Sequence, residues 1–289
     1  MTIRIIGIKN KEWEDSQLSP NSVYVESHPK VFYDSEREIL SVNHHEGHAR
    51  FYTHSACGQI LHALKSGFNP EGKTVYINDL DADTVVSCCL LSEPSLVNNQ
   101  KTIHFVNNVG LSDNFGPAYP ISGNVSNLID YFNKHVLWLI RKSKINGDYD
   151  KIRDLRHLCK SVIRHALVFL RNIDKIVVNE KKVIVHNFDV IERLGDMAVI
   201  FSHSCALKSV YDSGINSGLI YRENANGTYK YTIFKKSDFT PGDLRKAQLL
   251  LNALEGGWGG ASTIIGSPRH GSGLDPEIVW EKVKEALNA

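Results

Sequence analysis

Short runs of β-branched and aromatic residues alternate with helix-spaced apolar positions through the first 110 or so residues. Ile3–Ile8, Ser22–Glu26, Ile39–Val42, Thr74–Ile77 and Thr102–Val106 read as strands, being rich in Val, Ile and Tyr. Between them, Ser55–Lys65 and Thr84–Leu91 have helical spacing. This alternation predicts an α/β domain built on a mostly parallel, doubly wound sheet flanked by helices. From Asn124 to Asn172 the pattern is helical, with Leu128, Phe132, Val136 and Leu139 recurring at three and four. Strands return over Lys175–Val178, Val183–His186, Met197–Phe201, Gly218–Tyr221 and Tyr229–Phe234. Asn226-Gly227 predicts a tight hairpin turn between the last two. Thr240-Pro241-Gly242-Asp243 has the order of a helix start, with Thr240 as N-cap and Pro241 at the first helical position. That helix runs through Leu254 and stops at Gly256-Gly257. The expected organisation is an α/β domain over 1–123, a helical connector over 124–174 and a smaller α+β domain over 175–289.

The composition narrows the class without naming a function. The chain has 289 residues, 42% of them hydrophobic and 22% charged, which is ordinary for a globular protein with a real core. Basic and acidic residues number 33 and 32, so nothing marks a strongly basic nucleic-acid surface. The apolar run after Met1 is far too short for a secretory signal core, and no run approaches a bilayer span. A cytoplasmic protein is expected. The five cysteines include no Cys-x-x-Cys pair, so buried free thiols are a better reading than a disulfide framework or a structural zinc site.

Two stretches place metal-ligand side chains directly after predicted strands. Ile39–Val42 leads into Asn43, His44, His45, Glu46 and His48, and Thr74–Ile77 leads into Asp79, Asp81 and Asp83. Polar residues at the carboxyl ends of α/β strands are where ligand sites usually form. Carboxylates and imidazoles together suit a hard divalent cation. Crowded carboxylates repel unless solvated or bridged, which favours Asp79 and Asp81 as ligands. Asp83 precedes a helical run and reads better as its N-cap than as a ligand. Calcium is disfavoured: counting from Asp79, Thr84 stands where a calcium loop needs glycine, and Leu90 stands where it needs an acid. His54 and His62 read as ordinary histidines of the next helix. A third stretch, Val109 to Asn114, follows the run Thr102–Val106 and would bring Asp113 to the same sheet edge, although turn chemistry explains Ser112, Asp113 and Asn114 equally well.

The last stretch is the glycine-rich segment 256–273. Its glycines allow close backbone approach to a ligand, and its amides suit an anion. Ser262, Ser267, Arg269 and Ser272 add donors, and Arg269 can grip a phosphate or carboxylate bidentately. No Gly-Lys-Ser/Thr follows, which excludes a Walker-type phosphate loop. The Thr-Ile-Ile centre at 263–265 predicts a strand inside the segment.

The phrase from Ile39 to Glu46 resembles the Asp-His-His signature of the DHH phosphoesterases. The tail resembles their associated substrate domain, with a hairpin strand at Tyr229–Lys235, Ser237-Asp238, a Leu-rich helix and a Gly-Gly-x-Gly-Gly-Ala turn. The resemblance implies a Mn²⁺- or Mg²⁺-dependent hydrolase of phosphoesters or phosphoanhydrides, with one or two ions. His44 and His45 match the signature histidines, Asp79 or Asp81 an acidic ligand, and Gly257–Ala261 the substrate loop. The chain departs from that pattern in three ways. Asn43 replaces the family's Asp, the Asp-x-Asp motif follows the histidines instead of preceding them, and the glycine turn lacks its histidine, for which His270, farther on, is the candidate stand-in.

Together these readings assign His44, Asp79, Asp81 and Asp113 to the metal and His44 and His45 to catalysis. Arg269, Gly257, Gly259, Gly260, Ser262 and His270 are assigned to substrate binding. The expected partner is a small phosphorylated molecule or short nucleotide, with no membrane and no long nucleic acid; a homodimer is left open. The competing expectation is a catalytically degenerate nucleotide- or anion-binding protein of the same fold, for which Asn43 and the missing glycine-loop histidine speak.

Overall fold

The computed structural model describes residues 3–45, 52–119, 121, 123–178, 188–203 and 207–287. The chain forms two compact units, Met1–Lys181 and Lys182–Ala289, in a mixed α/β architecture. The first unit contains β1 (Arg4–Gly7), β2 (Ser22–Val25), β3 (Phe32–Asp34), β4 (Ile39–Val42), α1 (Ala56–Lys65), β5 (Thr74–Ile77), α2 (Ala82–Ser92) and α3 (Gln100–Phe115). It continues with α4 (Gly123–Tyr131), α5 (Trp138–Ile145) and α6 (Arg156–Arg171).

Its sheet has the order β1-β5-β2-β4-β3. The pairings β1–β5, β5–β2 and β2–β4 are parallel, and β3–β4 is antiparallel. Alternation along the strands sorts the side chains between two faces. Val23, Val25, Leu40, Val42, Val75 and Ile77 join the helices in one large core. Tyr24 and Ile39 face the other way, onto Trp13 and Leu18, with Tyr24 stacked on Tyr76. The doubly wound expectation is therefore corrected for the described residues: helices share the core of one face, and a small aromatic cluster covers the other.

Three further expectations change. Thr102–Val106 is not a strand but part of α3. Its buried residues Thr102, Phe105, Val106, Val109 and Gly110 follow helical spacing, and Asn99 Oδ1 accepts from Thr102 N at 2.9 Å as the N-cap. A β-branched pair in a short apolar run fits either period, and the cap decides. The helices of 124–174 do not connect two domains; Leu128, Phe132, Val162 and Phe169 belong to the first unit's core. Ile173–Lys175 is a 3₁₀ turn rather than the start of a strand over Lys175–Val178, and Val183–His186 lies outside the described residues.

The second unit contains β6 (Asp189–Leu194), β7 (Met197–Phe201), α7 (Leu207–Asp212), β8 (Ser217–Glu223), β9 (Tyr229–Lys235), α8 (Leu244–Leu254), β10 (Gly259–Ala261), β11 (Ile264–Gly266) and α9 (Pro276–Leu287). Its sheet order is β10-β11-β9-β8-β7-β6, parallel only at β7–β8. The β8–β9 hairpin turns at Asn226-Gly227, with Gly227 at φ 76°. α8 begins at Leu244 with Asp243 as its cap, not at Thr240. Gly242 sits at φ 95°, where a Cβ would lie 2.6 Å from Leu287 Cα, so the chain cannot run helically through it. The strand β6 escapes sequence reading because all six of its residues are exposed and show no alternation. Among the described residues no helix is long and apolar enough to cross a membrane.

The parallel β7–β8 pairing depends on one missing side chain. A Cβ on Gly218 would lie 1.9 Å from the Ala198 carbonyl oxygen, and its φ of 144° disfavours L side chains. Gly218→Ala is expected to destabilise the protein by more than about 2 kcal/mol. Urea unfolding checks this, and an unchanged midpoint would show that the pairing adjusts freely.

Candidate metal centre

β5, β2 and β4 are neighbours, and the turns leaving their carboxyl ends meet at one point. Glu26 follows β2, Asn43 to His45 follow β4, and Asp79 to Asp83 lead from β5 into α2. Asp113 arrives separately, from the last turn of α3. Glu26 adopts φ 54°, a left-handed conformation rare for a residue with a side chain. It is held there because its N–H donates to Val42 O at 2.9 Å and its carbonyl accepts from Asn78 Nδ2 at 2.8 Å. Thr84 Oγ1 donates to Glu26 Oε2 at 3.0 Å, leaving Oε1 to face the histidines.

The imidazole of His44 is buried at the centre. Its Nε2 lies 2.7 Å from Glu26 Oε1, 2.9 Å from Asp113 Oδ2 and 3.5 Å from Asp83 Oδ2. His45 Nε2 approaches the same Glu26 oxygen at 3.1 Å, and its side chain is 43% exposed. Glu26 Oε1 and both ring nitrogens of His44 nevertheless have no partner in hydrogen-bond geometry. Such atoms are close without being aimed at one another. Donors about 2.1 Å from a common octahedral ion stand about 3 Å apart, so the spacing is that of a coordination shell. Glu26, His44, Asp83 and Asp113 can together hold a metal ion, and Glu26, His44 and His45 form an overlapping set.

The electrostatics agree with that reading. Burial opposes the charged form of His44, yet the carboxylates of Asp113 and Glu26 outweigh it and lift its pKa to about 10. Burial likewise pushes Glu26 upward, but the facing imidazoles of His44 and His45 hold it well below the usual carboxylate range. Asp83 is raised to about 6, first by burial and then by the charges of Glu26 and Asp113. With His44 neutral, as a ligand must be, three carboxylates face a divalent cation, which would offset most of their charge.

The three acids of the 79–83 run do three different jobs. Asp79 and Asp81 fall outside the converging group. Asp79 Oδ1 accepts from its neighbour Leu80 N at 2.7 Å and from the Tyr149 hydroxyl, which ties it to the helical half of the unit. Asp81, not Asp83, is the N-cap of α2, accepting from Thr84 N at 2.8 Å. Burial pushes its carboxyl well above the ordinary range, and the charges of Glu26, Asp113 and Asp83 add to the effect. Asp83, buried in the first turn of α2, accepts from Ala56 N at 2.8 Å and Cys57 N at 2.7 Å. It thus satisfies two free amides at the start of α1 while facing His44. Sequence reasoning missed Glu26 and Asp83. The signal for Glu26 was an acid at the carboxyl end of a predicted strand; the signal for Asp83 was hidden by its fit to a cap.

Asn43 is not a ligand. Its Nδ2 donates to His28 O at 2.8 Å, and its Oδ1 accepts from His45 N at 2.8 Å. It clamps the turn that carries Glu26 to the turn that carries His44 and His45. An aspartate has no donor for the first bond, so the asparagine has a structural reason to be there. His54, just before α1, packs edge to face on His62 of α1, and both are exposed. Glu46 and His48 lie outside the described residues.

In the second unit, Gly259 and Gly260 belong to β10, which pairs with β11 as a hairpin whose turn contains Ser262. Gly260 is required there, since a Cβ would lie 2.1 Å from Ile264 O. The amides of Gly257 and Trp258 donate to Asn252 Oδ1, both at 3.0 Å, so they are not turned toward an anion as expected. Arg269 and His270 are exposed in the following turn. Burial, and then the positive charges of Arg222 and Arg269, lower the pKa of Lys230. Three cations therefore gather beside the β8–β9 hairpin.

No protein-family model matches this chain, and no curated protein matches it.

Two predictions follow from the geometry. Calorimetric titration of chelator-treated protein with Mn²⁺ should show one binding event that is lost in Glu26→Gln and Asp113→Asn but kept in Asp79→Asn. Loss in Asp79→Asn alone would move the site to the acidic run. Separately, Asn43→Asp should lower stability by about 1–3 kcal/mol, because the His28 carbonyl loses its donor and faces a carboxylate. Chemical denaturation at neutral pH tests this, and wild-type stability in the variant would remove the clamp.

Proposed function

We propose that the chain is a divalent-metal-dependent phosphoesterase or phosphohydrolase, a divergent relative of the DHH phosphoesterases. The observation that carries this reading is the convergence of Glu26, His44, Asp83 and Asp113 at the carboxyl ends of parallel strands. A donor set dominated by carboxylate oxygen suits Mg²⁺ or Mn²⁺ better than Zn²⁺. When bound, such an ion supplies Lewis acidity toward a phosphoryl oxygen and lowers the pKa of a coordinated water.

The protein's own groups supply the rest. Glu26, His44, Asp83 and Asp113 would hold the ion, the three carboxylates would offset its charge, and burial of His44 excludes bulk water from that side. His45, half-exposed and resting against Glu26, is placed to deliver a proton to the leaving oxygen, or to serve as a further ligand. In the second unit, Arg222, Lys230 and Arg269 gather positive charge suited to a phosphorylated ligand. A small phosphorylated molecule or short nucleotide is the favoured substrate. Asn43, which pointed toward a degenerate site, supports the active reading once its role is a clamp. Cys57, Cys88, Cys89 and Cys159 are all buried free thiols, in keeping with a reducing, cytoplasmic setting.

The test is a Mn²⁺- and Mg²⁺-supplemented screen against nucleoside phosphates, dinucleotides, pyrophosphate and an activated phosphodiester, with an amide and a carboxylic ester beside them. Hydrolysis confined to phosphate substrates and abolished in Glu26→Gln supports the proposal. In His45→Gln, kcat should fall about 10²-fold while Mn²⁺ affinity is kept, if the group acts on the proton. Metal binding without turnover of any phosphate substrate would favour a binding protein.

A further inference from the structure

A groove in the first unit lies away from the metal centre, between β1 and α6, with a volume of about 1210 Å³. Its floor is aliphatic, formed by Ile3, Ile5, Ile163 and Leu167. Its rim is strongly basic. Arg4, Arg153, Arg156, Lys160, Arg164 and Arg171 all line it, against one carboxylate, Asp154. Asp154 is paired with Arg156, and Arg171 is paired with Glu93. Among the described residues no carboxylate pairs with Arg4, Arg153, Lys160 or Arg164. Arg156, Lys160 and Arg164 follow at intervals of four along one stripe of α6.

β1 is also the edge of its sheet. Arg4 N donates to Lys73 O and Ile8 N to Ile77 O, so even-numbered residues point their amides at β5. In a parallel ladder the intervening residues turn theirs outward. Gly7 O is already used, accepting from Leu155 N at 3.0 Å, and Lys9 N donates to Arg153 O at 2.9 Å. The stretch 153–155 therefore lies against the far end of the edge, with Ile8 and Asp154 bridged antiparallel. The outward N–H and C=O of Ile5, over the apolar floor, have no partner among the described residues.

We infer that this groove docks an extended acidic peptide of a partner protein, which adds to β1 as a short strand. The backbone edge supplies the hydrogen bonds, Ile5, Ile163 and Leu167 take alternate apolar side chains, and Lys160, Arg164, Arg153 and Arg4 meet the carboxylates. A second copy of this chain is disfavoured as occupant, because antiparallel β1–β1 pairing would bring two basic rims together. Nucleic acid is disfavoured as well. The groove offers aliphatic side chains and no Phe, Tyr or Trp on which bases would stack.

The experiment is fluorescence anisotropy on the full chain with a labelled peptide of four Val-Glu repeats, beside an oligouridylate of equal charge. Saturable peptide binding is expected, weakened at least tenfold in the exposed double variant Lys160→Glu/Arg164→Glu. It should also weaken at least fivefold in Ile5→Pro, which removes the outward amide together with the Ile5 side chain of the floor and spares the β1–β5 ladder bonds. Circular dichroism confirms folding, and the helix double variant carries the test alone if Ile5→Pro unfolds. No saturation at millimolar protein, unchanged affinity in the double variant, or oligouridylate binding as tightly as the peptide would each overturn the inference.

Discussion

Gathering three carboxylates, two of them buried, around one buried imidazole is the constraint to which much of the first unit answers. Like charges at this spacing repel, and desolvation penalises Glu26 and Asp83 further. They are tolerated because every one has a second obligation that fixes it. Glu26 accepts from Thr84 and sits in a left-handed turn that Asn78 and Val42 hold by its backbone. Asp83 satisfies the first amides of α1. Asp113 rides on a helix whose own cap, Asn99, lies fourteen residues away in sequence and outside the site. The left-handed backbone at Glu26 and the clamp at Asn43 both fall at the candidate site, where surrounding hydrogen bonds fix an otherwise unfavourable turn.

The 79–83 run shows how the same residue type divides its labour by position. Alternate acids in an extended stretch would point to one side together. Here the helix begins at Ala82, so the third acid is rotated away from the first two by the change from extended to helical backbone. That rotation sends Asp83 across to α1 and His44, leaves Asp81 at the helix start, and leaves Asp79 to Tyr149. A spacing that looks like one ligand set is three separate structural roles, one of which also reaches the site.

Much of the architecture was legible from local pattern. The strands at 22–26, 39–42 and 74–77, both flanking helices and the Asn226-Gly227 hairpin follow from β-branched runs, helical spacing and turn chemistry. What was not legible depended on tertiary context. Thr102–Val106 satisfies either period, and only the Asn99 cap and burial at three- and four-residue intervals make it helical. The sequence pattern puts Asp113 after a strand, whereas it reaches His44 from the last turn of α3. Glu26 was in view as the end of a strand but lacked a neighbouring cluster to mark it. The glycines of 256–273 look like an anion cradle in sequence. In the fold they make a hairpin, and the adjacent amides are taken by Asn252.

The balance of charge also couples the centre to folding. In the cation-free protein the acids rely on His44 being protonated, which its environment favours. A cation would have to displace that proton while compensating the same carboxylates, so the two are alternative solutions to one repulsion. Since an unfolded chain holds no such constellation, any ion bound there stabilises the native state by mass action. The turns after β2 and β4 are the parts of the structure most exposed to that choice, because Asn43 joins them and Glu26, His44 and His45 all hang from them. The large core behind the sheet contains no member of the centre, and Val25, Val42 and Ile77 in it anchor the strand ends from which these turns leave.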